Sequence, residues 1–341
     1  MGADPAIQEY ASGSINGADY NGYTYANSSS GLAGPSGVAF NSQGDLFVAN
    51  SSNGTIDEFT PAGVESQFYS GLGQPEAIAF DQYGDLYVAT NANGGKIMKI
   101  TPSGVGSVFA EASLSPNESL SSPSGLAFDS SGNLYVTTAG GGNGINTDTD
   151  PGYAIDKITP SGVVSIFAES NTTPGGPNGV GFGYLSNPQG LAFDSSGNLY
   201  VADSNNNAVE EFNSSGTSVS TFADLGANTN PHGLAFGSNG DLYVANFSHY
   251  PYPEGDVDSK GNPDPGFSAI EQYSPGGTLL QTFNDNTASP SGLEDGGYIA
   301  IESNNGTPLL ATIPEPSTSS AFGLGALSLI GFSKIKRRRR L

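Results

Sequence analysis

The chain has 341 residues, no cysteine, 49 glycines and a formal net charge of −23. The missing cysteines exclude disulfides, thiol catalysis and thiolate metal sites. The acidic balance repels nucleic acid and anionic membrane, so neither is expected as a partner of the main body.

In chain order, AIQEY (Ala6–Tyr10) reads as a short strand, and NGYTYANSSSGLAGPSG after it as a second strand and a link. From Gly34 a unit begins, GPSGVAFNSQGDLFVANSSNGTIDEF, that returns as QPEAIAFDQYGDLYVATNANGGKIMKI from Gln74 and SPSGLAFDSSGNLYVTT from Ser122. It appears again as PQGLAFDSSGNLYVADSNNNAVEEF from Pro188, as NPHGLAFGSNGDLYVAN from Asn230, and in a shortened form, SPSGLEDGGYIAIESNNG, from Ser289. In the copy at Pro188, GLAF alternates as a strand does, with Leu191 and Phe193 on one face. Asp194 can bond its own backbone and Gly197 can take positive φ, so DSSGN is a tight turn. LYVA, AVEEF and TSVSTF then read as second, third and fourth strands rich in β-branched and aromatic residues.

A four-stranded meander of this size cannot bury both of its faces alone, whereas stacking such units around an axis buries them and leaves only short edges. The phenylalanine ending the first strand falls at Phe40, Phe80, Phe128, Phe193 and Phe236, in steps of 40, 48, 65 and 43 residues. The short steps suit propeller blades of about 40–50 residues, and the longer ones carry insertions. The expected fold is therefore an all-β, six-bladed β-propeller over residues 1–310. The strands within residues 6–26 are expected to complete the blade begun at Pro290, with Pro308–Thr312 as a competitor for the third-strand slot. Residues 311–320 form a linker and residues 321–341 an apolar segment with a basic end.

The GxA-type first strand, the Asp/Gly/Asn turn, LYVAD and the AVEEF-type third strand resemble NHL repeats, and the resemblance implies a propeller without naming an activity.

The turns after strands one and three are short and uniform: NSQG, DQYG, DSSG and GSNG, then TPAG, TPSG, NSSG and SPGG. Every large insertion, at residues 111–122, 140–153, 170–187 and 247–268, belongs to the opposite face. Binding is expected on that elaborated face. There, the residue before the first-strand Gly or Ala should point at the channel mouth: Ser36, Glu76, Ser124, Gln189, His232 and Ser291. The second strands end nearby with Asn50, Thr90, Thr138, Asp203, Asn246 and Ser303. Oxygen ligands around an axial hole suit Ca²⁺ or Mg²⁺. Glu76 is similar to the metal-holding glutamate of the gluconolactonase/regucalcin family, and NPHG around His232 resembles streptogramin lyases. Those resemblances imply Glu76, Gln189 and His232 as catalytic candidates. In both families the sets are fuller than here, where serine replaces much of the Asn/Asp ring.

Within the last insertion, EGDVDSKGNPDPGF resembles the start of an EF-hand loop, which implies Ca²⁺ held by Asp256, Asp258, Asn262 and Asp264. Lys260 and Phe267 stand where an oxygen ligand and a Glu are expected. Asn50, Asp203, Asn246, His249, Tyr250 and Tyr252 are the ligand-binding candidates. Phe247 and the three insertion residues, stiffened by Pro251 and Pro253, offer an aromatic ledge suited to sugar rings or a protein partner.

The end of the chain differs in kind. Pro314, Glu315 and Pro316 precede an apolar run, Ala321–Phe332, and a cluster that includes Arg337, Arg338, Arg339 and Arg340; six of the ten Lys and Arg lie in the last eight residues. This order resembles the PEP-CTERM sorting signal. It implies a short transmembrane helix with a cytoplasmic basic end, export to the cell envelope or beyond, and an exosortase as partner. Export also implies a signal peptide, and MGADPAIQEY has neither its basic segment nor its apolar core. Two functions remain open. One is a surface or matrix module binding exopolysaccharide or an envelope protein. The other is a metal-assisted lactonase or lyase at the channel mouth. The tail reading predicts that mass spectrometry of the mature protein from its host finds a C-terminus near Pro316; recovery of the intact chain from cytosol, arginines attached, overturns it.

Overall fold

The computed structural model describes residues 6–11, 23–27, 32–111, 120–139, 152–169, 185–216, 219–226, 229–246, 269–284 and 309–312. Each full copy of the unit folds into one antiparallel four-stranded blade in sequence order. Blade one comprises β3 (Pro35–Phe40), β4 (Leu46–Asn50), β5 (Thr55–Phe59) and β6 (Glu65–Ser70). Blade two comprises β7 (Pro75–Phe80), β8 (Leu86–Thr90), β9 (Lys96–Ile100) and β10 (Gly106–Glu111). Blade three comprises β11 (Pro123–Phe128), β12 (Leu134–Thr138), β13 (Ala154–Ile158) and β14 (Val164–Glu169). Blade four comprises β15 (Pro188–Phe193), β16 (Leu199–Asp203), β17 (Ala208–Phe212) and β18 (Val219–Asp224). Blade five comprises β19 (Pro231–Phe236), β20 (Leu242–Asn246), β21 (Ala269–Tyr273) and β22 (Leu279–Asn284). The first strands β3, β7, β11, β15 and β19 neighbour one another in that order, as the inner strands of a propeller do.

Five blades are present among the described residues, where six were expected. The shortened copy from Ser289 carries Glu294 and Asp295 where the others carry Ala and Phe, and it lies outside the described residues. The remaining sheet is three-stranded: β1 (Ala6–Ala11) lies between β2 (Tyr23–Asn27) and β23 (Leu309–Thr312), antiparallel to both. Leu309–Thr312 therefore pairs beside the AIQEY strand and does not displace it. Among the described residues no helix is long and apolar enough to cross a membrane; Ala321–Phe332, the expected transmembrane helix, lies outside them.

The turn chemistry follows the sequence. Asp194 Oδ1 accepts from the backbone N–H groups of Ser196 and Asn198, each at 2.8 Å, and Gly197 has φ of 85°. Asp81 and Asp129 do the same in their blades.

Between blades, the core is a set of seams. In each of four blades the second-strand aromatic sits edge-on between the fourth-strand Phe of its own blade and the first-strand Phe of the next. Phe47 lies 5.0 Å from Phe68 and 4.9 Å from Phe80, and Tyr87 4.9 Å from Phe109 and 5.0 Å from Phe128. Tyr135 meets Phe167 and Phe193, and Tyr200 meets Phe222 and Phe236, in the same geometry. Such T-shaped pairs add about 0.5–1.5 kcal/mol each beyond the area they bury. Aliphatics complete each seam; Ala89 and Ile97 of blade two and Leu120 of the following link, for example, meet Leu134, Val136 and Ile158 of blade three. Lys99 and Lys157 lie over the Tyr87 and Tyr135 rings at 5.1 Å, so two of the few cations also serve the seams.

Tyr135→Ala should cost about 3–5 kcal/mol in chemical denaturation, because it empties the seam between blades three and four. Tyr135→Phe should cost about 1 kcal/mol, since only the hydroxyl beside Lys157 is lost.

Candidate functional site

The start of each inner strand, where the channel mouth is expected, is built by the same three-residue device in all five described blades. A residue with positive φ precedes the first-strand proline: Gly34, Gln74, Ser122, Asn187 and Asn230, with φ between 39° and 62°. Non-glycine residues adopt this conformation at a cost, and more so before proline. The kink turns the chain into the inner strand, and the residue after the proline is the expected channel residue: Ser36, Glu76, Ser124, Gln189 or His232. The next position is Gly in four blades and Ala77 in the other. A Cβ added at Gly125 would run into the Gln189 carbonyl oxygen, and one at Gly190 into that of His232. Close approach of neighbouring inner strands therefore demands a very small residue here.

The five channel residues divide by what they bond. Ser36 Oγ donates to the Ala49 carbonyl at 3.3 Å and to that of Pro75 in the next blade. Ser124 Oγ lies 3.0 Å from Thr137 Oγ1 and 3.3 Å from the Pro188 carbonyl, while Thr137 Oγ1 donates to the Gln189 carbonyl at 2.7 Å. The serines thus strap one blade to the next. Glu76, Gln189 and His232 are buried. Asn91 Nδ2 donates to Glu76 Oε1 at 3.1 Å, which orients the carboxylate. Gln189 Nε2 donates to Asn187 Oδ1 at 2.9 Å. His232 Nε2 lies 3.3 Å from Ser204 Oγ, contributed by the short 3-10 turn Ser204–Asn206 of blade four. Burial lowers the His232 pKa to about 3, so its imidazole is neutral at ordinary pH.

The second-strand ends act as latches on the links. Asn50 Oδ1 accepts from Ala33 N–H at 2.9 Å, and its Nδ2 donates to Thr55 Oγ1 at 3.2 Å and Asp57 Oδ2 at 2.7 Å. Asp203 Oδ1 accepts from Ser186 N–H at 2.7 Å and Oδ2 from Asn206 Nδ2 at 2.8 Å. Burial raises the pKa of Asp203 to about 6 against those two donors. Burial, then the nearby Glu65, raises Asp57 to about 6 as well. In blade five the equivalent link amides, Thr229 and Asn230 N–H, are held by Asn207 Oδ1 of blade four at 3.0 and 3.2 Å. Asn246 therefore donates to Glu271 Oε2 at 2.9 Å but has no hydrogen-bond partner for its own Oδ1 among the described residues. Asn91 Oδ1 and Gln189 Oε1, likewise buried, also have none. Three amide oxygens at one end of the inner blades are thus poised to accept.

The sequence candidates fall into three groups. Glu76, Gln189 and His232 are brought to the same end of the inner strands. Asn50, Asp203 and Asn246 end second strands, where the first two hold links. His249, Tyr250, Tyr252, Asp256, Asp258, Asn262 and Asp264 lie outside the described residues. Sequence reading overlooked Asn91, Asn187 and Ser204, whose only signal is an Asn or Ser just outside a strand end. Among the described residues no three Asp, Glu or His side chains gather as a metal cage. The channel residues therefore do not fit a carboxylate-held Ca²⁺.

Two stretches, residues 32–59 and 185–212, match the NHL repeat. No curated protein matches the chain in sequence. Among solved structures, a gluconolactonase from Xanthomonas campestris is 15% identical with a TM-score of 0.58, over 84% of this chain and 87% of that one. A streptogramin B lyase is 15% identical with a TM-score of 0.54, over 97% and 89%. A structure of a nidogen/laminin complex is 18% identical with a TM-score of 0.55, over 82% and 93%. At these identities the likeness defines a class, the all-β propeller with NHL repeats, and its neighbours include lactonase and lyase enzymes.

Asn50→Ala should cost about 2–4 kcal/mol in denaturant unfolding, because it strands the Ala33 N–H and removes the amide donor from buried Asp57.

Proposed function

We propose that this propeller opens a small cyclic ester, a lactone or cyclic depsipeptide, at the channel mouth on its elaborated face. The observation that supports this reading most is that Glu76, Gln189 and His232 stand, buried, at the same end of their inner strands, with Asn91 and Gln189 amide oxygens lacking donors among the described residues. Buried acceptors of this kind are costly unless a ligand supplies the missing hydrogens, so they favour a ligand with hydroxyl or amide donors. Ring opening needs a proton taken from the attacking water or the substrate and one returned to the leaving oxygen. The Glu76 carboxylate, oriented by Asn91, can take the proton and return it, while His232, neutral through burial and held by Ser204, serves as a hydrogen-bonding group to the ester. The fold neighbours named as lactonase and lyase fit this reading as analogy.

A second reading is favoured by the tail pattern from Pro314 to Arg340: an exported envelope or matrix module, sorted by an exosortase, that binds exopolysaccharide or an envelope protein with the same face. That second reading places the propeller outside the cytoplasm, and Ca²⁺ would be sought in the Asp256–Asp264 segment.

Full-length protein offered aldonolactones and a cyclic depsipeptide, with Mg²⁺, with Ca²⁺ and with chelator, should open one of them, read by mass spectrometry. Glu76→Gln and His232→Ala should each slow that opening by about 100-fold or more. No turnover by the parent protein under any condition sinks the enzyme reading, and binding on a glycan array would then carry the second.

A further inference from the structure

Asp156 has no part in the mouth. It lies in the middle of β13, opposite Val136 of β12, and is fully buried. Strand alternation places it on the same face as Leu134, Val136 and Ile158, and those three pack against Ala77, Tyr87, Ala89, Ile97 and Ala110 of blade two and Leu120 of the link that follows it. Its carboxyl is thus inserted in an apolar seam. Neither oxygen has a hydrogen-bond partner among the described residues. The Thr138 hydroxyl beside it donates at 3.4 Å to the Ala154 carbonyl. On the facing blade the ionisable groups of the seam side are Tyr87 and Lys99, with Asp81 and Asp85 paired to Lys99, while Glu76, Lys96 and Glu111 are the neighbours of seam residues Ala77, Ile97 and Ala110 and alternate to the other face. On its own blade Tyr135, Lys157 and Asp129 associate with one another, Tyr153 lies just before β13 and Glu169 ends β14. None of them neutralises Asp156.

An ionised carboxylate cannot remain in such a place without a partner, whereas the protonated acid can. We propose that Asp156 is a pH-sensitive lock on the seam between blades two and three, closed while the carboxyl holds its proton and loosened when it is lost. Burial raises its pKa well above the ordinary range, with the Thr138 hydroxyl opposing. For a carboxyl raised in the folded state, the folded chain binds more protons than the unfolded one. The stabilisation is complete below the unfolded value near 4 and declines as pH rises toward the folded value. Asp57 and Asp203, raised to about 6, add the same sign but finish their loss near pH 6. Glu58 and Glu210 are raised by burial as well, so the Asp156 share is the part that Asp156→Asn removes. The device is independent of the ester-opening reading, since it concerns a seam and not the mouth.

The experiment compares thermal unfolding of the full-length protein and Asp156→Asn from pH 5 to pH 9. The wild-type midpoint should fall relative to that of Asp156→Asn by at least about 2 °C between pH 6 and pH 9, because the amide fills the same space and cannot ionise. Midpoints that move in parallel across the range overturn the proposal. A protonated-carboxyl C=O band in the infrared spectrum of the wild-type protein at pH 7 provides a second readout that needs no folded variant. Its absence overturns the proposal too, and its presence supports it.

Discussion

The edge-on wedge of Phe47, Tyr87, Tyr135 and Tyr200 between two phenylalanines is the contact on which this architecture depends. One phenylalanine of each trio belongs to the same blade and the other to the next. A single meander has two apolar faces and cannot cover either alone. The wedge makes the cover of one blade the core of its neighbour, so stability accumulates by seams and not by sheets. The same residues fix the angle between successive blades, because an edge-on ring tolerates little sliding.

With the blades held in this way, the inner strands come so close that the position after each channel residue must be Gly or Ala. The channel residue itself then has one of two roles. In blades one and three a serine spends its hydroxyl on the next blade's carbonyl. In blades two, four and five a longer polar side chain at the same strand end meets an Asn or Ser from a neighbouring turn. The ring is therefore regular in its backbone and uneven in its chemistry. A site made from side chains of several blades needs that combination, because the rigid frame sets distances while single substitutions set reactivity.

Acidic groups show how strongly placement changes a carboxyl. Asp194 caps a turn in solvent and organises two backbone amides. Asp203, a second-strand end, is latched by two donors and yet is raised by burial. Asp156 has burial with only the Thr138 hydroxyl to oppose it, and its pKa is raised well above the ordinary range. All three are the same residue type in a body whose net charge is strongly negative, and only the local solvent and hydrogen bonds separate them.

Much of the architecture was legible in the sequence because it rests on local rules. Period-two alternation, Asp–Gly turns and the repeated terminal Phe specify the strands, which end at Phe40, Phe80, Phe128, Phe193 and Phe236 as the repeat requires. The same pattern nominated Glu76, Gln189 and His232 for the mouth. Among the described residues the repeat yields five blades where six were expected, and the copy that carries Glu294 and Asp295 in place of Ala–Phe lies outside them. The sequence could not reveal that Ser36 and Ser124 are straps, that Asn50 and Asp203 are latches, or that Asn91 and Ser204 join the channel residues. Those roles depend on which carbonyl or amide of another strand arrives within about 3 Å, and that is decided by the stacking of blades. Asp156 makes the same point, for its residue type suggests a solvated acid, and only the neighbouring blade's aliphatic face makes it a buried one.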